Sequence, residues 1–313
     1  MVTTVRSEEK AQKIKDGHPS YGKDKLDIVI VPDIAQEGAF EEAVKSNPPF
    51  EAVIHTASPF HFKATDVQKD LLDPAVIGTT GILKSIKKHA PTVKRVVITS
   101  SFAAVVDHSK GTRPEHTYSE ADWNPITHAQ ALQGPGFGYP ASKAFAERAA
   151  WDFVENEKPN FDLCTMNPPL VFGPIVHYLN SLSALNTSNE RLRDFIQGTH
   201  KDTDIPESRA YLWVDVRDLA EAHVKGVELE QAGGKRFFTT AGFFSNRQLV
   251  EIIRKNFPQY KDALPNENAK GGDLPQPIYK IDNSRSKEVL SLKYIPLEKS
   301  VVDTVKSFQN VGA

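Results

Sequence analysis

Short apolar, β-branched runs recur along the chain and alternate with stretches of helical periodicity. Leu26–Val31, Phe50–Ile54, Val96–Ser100 and Phe161–Met166 each read as a buried strand. Met1–Ser7 reads as a strand end, followed by a polar helix through Lys15. Asp73–His89 carries Val76, Ile77, Ile82, Leu83 and Ile86 at helical spacing, and Gly78 and Gly81 would allow close packing on a sheet. A further helix is expected around Gly38–Ser46, with Asp33 as its cap. Beyond Gly173 the pattern changes. A polar helical segment at 180–197 precedes a strand at Tyr211–Asp218 that leads into a helix through Leu229. Then come a strand at Arg236–Thr240, a helix at Ser245–Phe257, and closing helices at Ser284–Leu290 and Leu297–Gln309. Strands alternating with helices predict an α/β fold, a doubly wound parallel sheet of Rossmann type. Residues 1–172 would form the dinucleotide-binding domain. Residues 173–313 would form a smaller, interleaved α/β substrate lobe, with 211–230 returning to the first domain.

Two pieces of this pattern carry chemistry. Gly138-Tyr139-Pro140-Ala141-Ser142-Lys143 opens a helix rich in Ala, Glu and Lys, and Pro140 suits its first turn. Phe145, Ala149 and Phe153 share one face of it. Tyr139 and Lys143 stand one turn apart, so their side chains project from the same side. An ammonium beside a phenol favours the phenolate and lowers the tyrosine pKa, which suits proton transfer to a developing alkoxide. Ser101 follows the Val96–Ser100 strand at its carboxyl end, where open α/β sheets bind ligands. Its hydroxyl there can hydrogen-bond a carbonyl oxygen. Phe102–Pro135 is long and loop-like, which in a compact domain points to function. His55, at the end of a buried strand, reads as structural.

Val97-Ile98-Thr99-Ser100-Ser101-Phe102, then Tyr139-x-x-x-Lys143, then Asn167-Pro168-Pro169-Leu170-Val171-Phe172-Gly173-Pro174 resemble, in order, motifs of the extended short-chain dehydrogenase/reductases. The resemblance runs from about Val2 nearly to the C-terminus. Within that family the chain is most similar to the dihydroflavonol-reductase-like branch and its fungal NADPH-dependent ketone/aldehyde reductases. It implies a catalytic triad of Ser101, Tyr139 and Lys143. It implies cofactor contacts from Asp33 and Ile34 along the adenine and from Thr56, Ala57 and Ser58 near ribose and phosphates. Pro168 and Val171 would meet the nicotinamide end, with Ser188 on the cofactor side. Phe60 and Val106 would line the substrate pocket. Arg6, after the first strand, would take the 2′-phosphate of NADP(H), where an NAD-binding fold usually carries an acid.

The expected reaction is therefore reduction of a ketone or aldehyde by NADPH. A nucleotide-sugar epimerase or dehydratase shares Ser, Tyr and Lys but would need tightly held NAD and a basic sugar-diphosphate site. Arg6, Phe60 and Val106 argue against it. A non-catalytic remnant unable to bind cofactor is the alternative from outside enzymology.

Composition narrows the setting. With 313 residues and a net charge of −2, nothing indicates a nucleic-acid surface. The one cysteine, Cys164, sits in an apolar stretch as a small hydrophobe, consistent with a reducing, cytoplasmic setting. No apolar run is long enough to span a membrane, no metal site is expected, and the chain would act as a monomer or homodimer on a small carbonyl substrate.

None of the 18 glycines forms a Gly-rich phosphate turn after an early strand. The expectation is that the family's first strand and helix, about 30 residues, are missing. That strand is central, so its neighbours would carry unpaired buried backbone groups. The chain would then fold poorly alone or close its sheet by moving the next strand inward, and cofactor affinity would fall.

Overall fold

The computed structural model describes residues 1–58 and 64–311. Strand β1 (Val2–Val5), helix α1 (Glu8–Gly17) and strand β2 (Asp27–Ile30) open the chain as a β-α-β unit, with β1 and β2 parallel. Ser7 caps α1 by accepting the Lys10 amide, and Glu8 and Glu9 complement the positive end of the helix dipole. The expectation of a missing opening strand and helix is therefore not supported. Nor does β1 move inward against β3 (Ala52–His55): among the described residues β1 and β2 pair only with each other. Packing holds this ribbon to the body, with Val31 joining Ile82, Leu83 and Ile86 in one apolar cluster.

The main sheet is parallel, in the order β3, β4 (Arg95–Thr99), β6 (Asp162–Met166), β9 (Lys235–Phe237). Arg95 through Ile98 are buried, as a strand covered on both faces requires. Helices α2 (Asp73–His89) and α4 (Pro135–Glu157) cover one face, and α6 (Val216–Glu228) packs on β4 and β6 from the other. The buried Arg95 guanidinium ties these layers by donating to the Asp162 carboxylate and, at 3.0 Å, to the Leu229 carbonyl. Between β4 and α4 the chain is not a bare loop. It contains β5 (Thr117–Tyr118) and α3 (His128–Ala131), the latter closed by a Thr127–Gln130 capping box.

The remaining elements build a second apolar body. β7 (Leu170–Phe172) runs parallel to β8 (Leu212–Asp215), and β10 (Gly242–Phe243) runs antiparallel to β8. Against them pack α5 (Thr187–Ile196), α7 (Asn246–Asn256) and α9 (Leu297–Phe308), around Phe172, Phe195, Trp213, Phe244 and Val301. A two-residue strand β11 (Lys280–Ile281) pairs with β5, and α8 (Ser284–Glu288) leads toward α9. β9 thus returns to the main sheet from within the second half of the chain.

Four local expectations are corrected. Residues 37–44 form successive turns, not a helix, and Gly38 takes a left-handed φ of +74° within them. Asp33 caps the Ala35 amide there at 2.9 Å. α4 starts at Pro135, so Pro140 lies inside it, where the missing N–H frees a carbonyl of the preceding turn. The buried stripe of α4 runs through Gly138, Ala141, Ala144 and Ala150, while Phe145 and Ala149 are only half-buried. Gly78 packs closely, since a Cβ there would lie 3.0 Å from Ile34 Cδ1 and that side chain would have to shift, whereas Gly81 faces open space.

Candidate active site

β4 ends at Thr99, and the chain turns outward through Ser100 and Ser101. Ser101 is extended, with φ −161°, and its Oγ accepts the Ala103 amide at 3.1 Å, capping a short 3-10 turn. Tyr139 reaches it from α4, donating its hydroxyl to Ser101 Oγ at 3.5 Å. Gly138, immediately before, must be small, since a Cβ would lie 2.7 Å from Val67 Cγ1 and 2.9 Å from Leu71 Cδ1. Lys143 follows one turn on, and its ammonium makes no hydrogen bond with the described residues. It faces a small cavity shared with His55, Ala57, Ser58, Thr99 and Ser100. The three residues singled out from the sequence therefore converge at the carboxyl end of the central strand.

Electrostatics here differ from the sequence expectation. Burial raises the Tyr139 pKa, opposed by the Ser101 hydrogen bond. The phenol is thus held protonated at neutral pH, instead of being driven toward phenolate by Lys143. Burial also lowers Lys143 to about 8, against the opposing pull of the Glu147 carboxylate. His55 is lowered to about 4 by burial and by the Lys143 charge, so it is neutral. Its Nε2 has no hydrogen-bond partner among the described residues.

The other expected positions fall as follows. Arg6 is exposed directly after β1 and makes no hydrogen bond or ion pair with the described residues, while Glu9 is engaged by Lys13 at 2.6 Å. Thr56 is exposed, and Ala57 and Ser58 are half-buried, at the carboxyl end of β3. Ile34 packs toward Gly78 of α2. Pro168 is buried, and its carbonyl accepts the Phe102 amide at 2.8 Å, fixing the turn beside Ser101. Ser188 Oγ accepts the Val171 amide at 3.0 Å, which joins α5 to β7. Val106 is buried among Phe102, Tyr118 and Phe238, and Phe60 lies outside the described residues. A wider, open depression lined by Lys201, Arg254, Lys261 and Asp262 shares no residue with this constellation.

Sequence reasoning passed over Glu147, Thr165 and Arg236, and used Asn167 only as part of a motif. These four form a buried polar cluster directly behind Ser101. The available signal was Glu147 itself, an acid one turn past Lys143 on the face of α4 that Ala144 and Ala150 bury.

A parallel sheet with a serine at its carboxyl edge and a Tyr-x-x-x-Lys helix beside it defines an α/β protein of the dinucleotide-binding type. The chain belongs to the NAD dependent epimerase/dehydratase family, whose family model matches residues 2–238. It is 47% identical over 309 residues to a ketoreductase, azaE, of Aspergillus niger, covering 98% of this chain and 89% of that protein. It is 36% identical to the NADPH-dependent methylglyoxal reductase GRE2 of Saccharomyces cerevisiae, covering 97% and 89%. The crystal structure of yeast methylglyoxal/isovaleraldehyde reductase Gre2 complexed with NADPH superposes with a TM-score of 0.90 at 34% identity, covering 99% of this chain and 91% of that one. Gre2 of Candida albicans in complex with NADPH gives a TM-score of 0.90 at 38% identity, covering 100% and 92%.

The residues present fit part of a bound NADP(H). Among the described residues neither the Lys143 ammonium, beside the small-residue turn at Ala57 and Ser58, nor the exposed Arg6 guanidinium has a hydrogen-bond partner, so both can meet cofactor groups. The β1–α1 connection, Arg6-Ser7, contains no glycine and is no pyrophosphate cradle.

Proposed function

We propose that this protein is an NADPH-dependent carbonyl reductase that converts a ketone or aldehyde to an alcohol. Bound NADPH supplies the hydride. Ser101 Oγ orients the carbonyl oxygen, and Tyr139 passes its phenolic proton to that oxygen as charge develops on it. Lys143 holds the cofactor ribose and places a positive charge beside the phenolate that remains. Arg6 takes the 2′-phosphate, a role supported by its exposure and by the engagement of Glu9 elsewhere. Thr56, Ala57, Ser58, Pro168, Val171 and Ser188 would line the cofactor, with Asp33 and Ile34 at the adenine. Phe60 and Val106 are assigned to the substrate side. The single observation that carries the reading is the Tyr139 hydroxyl on Ser101 Oγ, with Lys143 one turn beyond. The 47% identity to a ketoreductase supports the substrate class. A small carbonyl compound is the partner. No helix among the described residues is long and apolar enough to cross a membrane, and a cytoplasmic setting is proposed.

The test is fluorescence titration of the full chain with NADPH, followed by NADPH consumption with small ketones and aldehydes. NADPH binding in preference to NADH, and loss of about 10²- to 10⁴-fold in kcat for Tyr139→Phe, are expected. Turnover unaffected by Tyr139→Phe would remove the tyrosine from the mechanism.

A further inference from the structure

Glu147 is 1% exposed and stands one turn beyond Lys143 on α4. Its Oε1 accepts from Arg236 Nε at 2.7 Å, from the Thr165 hydroxyl at 2.8 Å and from Trp151 Nε1 at 3.4 Å. Its Oε2 accepts from the Ser100 hydroxyl at 2.5 Å and from Asn167 Nδ2 at 2.7 Å. Asn167 Nδ2 also donates to the Ser101 carbonyl at 3.3 Å. One carboxylate thus joins the helix of Tyr139 and Lys143, the exit of β4 beside Ser101, the end of β6, and β9.

Arg236 is itself fixed. It donates to the Glu120 and Asp122 carbonyls at 2.6 and 2.7 Å and lies 3.6 Å over the Trp123 ring. A buried ion pair is a poor way to gain stability, because apolar residues of similar volume often do as well or better. What such a network does supply is a fixed geometry and a fixed charge.

We propose that Glu147, locked by Arg236, is a positioning residue that registers Ser101 against Tyr139 and Lys143 and keeps a negative charge behind the lysine ammonium. The proposal rests on the Ser101-Tyr139-Lys143 reading above. Lys143 shares its cavity with Glu147 from α4 and with neutral His55 from β3, and the Glu147 carboxylate favours the ammonium against its burial. Arg236, from β9, is the cation facing Glu147.

Three variants of the full chain decide it: Glu147→Gln, Glu147→Gln combined with Arg236→Gln, and Tyr139→Phe. The double change leaves no unpaired buried charge. For each, thermal unfolding reports folding, and NMR of 15N-lysine-labelled protein without cofactor reports the Lys143 titration. Steady-state rates give kcat and KM across pH. In Glu147→Gln the Lys143 titration should move down by about one pH unit, a tenfold weaker hold on its proton, and in the folded double variant, which loses a cation too, it should move in the same direction by less. The basic limb of kcat should move with it, while KM for the carbonyl changes little. A folded variant with an unmoved Lys143 titration and wild-type kcat would overturn the proposal. A double variant that does not fold would assign the pair to stability and overturn it equally. If Tyr139→Phe stays active, the triad reading itself fails. If Tyr139→Phe is inactive while the Glu147 variants behave as wild type, the positioning role alone fails.

Discussion

At the residue scale, His55 shows how burial sets a pH dependence. Its ring packs edge-on to Phe40, 5.8 Å between centroids, and its Nε2 has no partner among the described residues. The folded-state pKa, about 4, lies below the ordinary 6.5. The unfolded chain therefore binds a proton that the native chain refuses, and stability falls as pH drops from 6.5 toward 4. The full effect of this one group is about 3 kcal/mol. Urea denaturation at pH 7 and pH 4.5, on the native chain and on His55→Gln, measures it: the variant should lose less stability between the two. Equal losses would place the acid sensitivity in other groups, His108 and His223 among them, whose pKa values burial also lowers. The sequence reads His55 as structural, and the structure buries it at the end of β3. The sequence did not reveal that Tyr139 is pushed up instead of down, because that sign depends on how much water remains around each group.

At the scale of elements, periodicity located most helices and strands, since one buried face leaves a regular mark. The bounds of α2 are those that its apolar spacing predicts, and β4, β6, α6, α7 and α9 match within a few residues. α7 carries its own start signal: Ser245 accepts the Gln248 amide at 3.2 Å, and the Gln248 side chain returns to the Ser245 amide at 2.9 Å. Ser245→Ala should cost about 1 kcal/mol in chemical denaturation, the usual worth of such a cap. A neutral result would mean that the apolar contacts of Leu249, Val250 and Ile253 hold the helix end without it. Local signals failed where a longer context overrode them. Pro140 resembles a helix start, yet Pro135 follows a glycine at φ +155° and begins the helix earlier.

At the scale of the whole molecule, the sheets differ in how they are held. β4 lies between two ladder partners and is buried on both faces, whereas β1 and β2 form a separate two-stranded ladder with half-exposed residues. Hydrogen exchange should show amides of Val96–Ile98 protected near the global limit. Those of Thr3–Val5 and Ile28–Ile30 should exchange faster, through local opening. Equal protection would mean that the opening β-α-β unit unfolds only with the rest.

The order of Ser101, Tyr139 and Lys143, the alternation of strand and helix, and the family were determined by the sequence alone. Each rests on neighbours within a turn or a strand, or on motifs read in line. Tertiary structure decided that β1 and β2 stand apart from the main sheet, that β9 returns to it, and that Glu147 meets Arg236. Residues 147 and 236 are far apart in sequence, and nothing local to either encodes the other. Only the folding of β9 beside β6 brings guanidinium and carboxylate to 2.7 Å, in a place dry enough for their charges to matter.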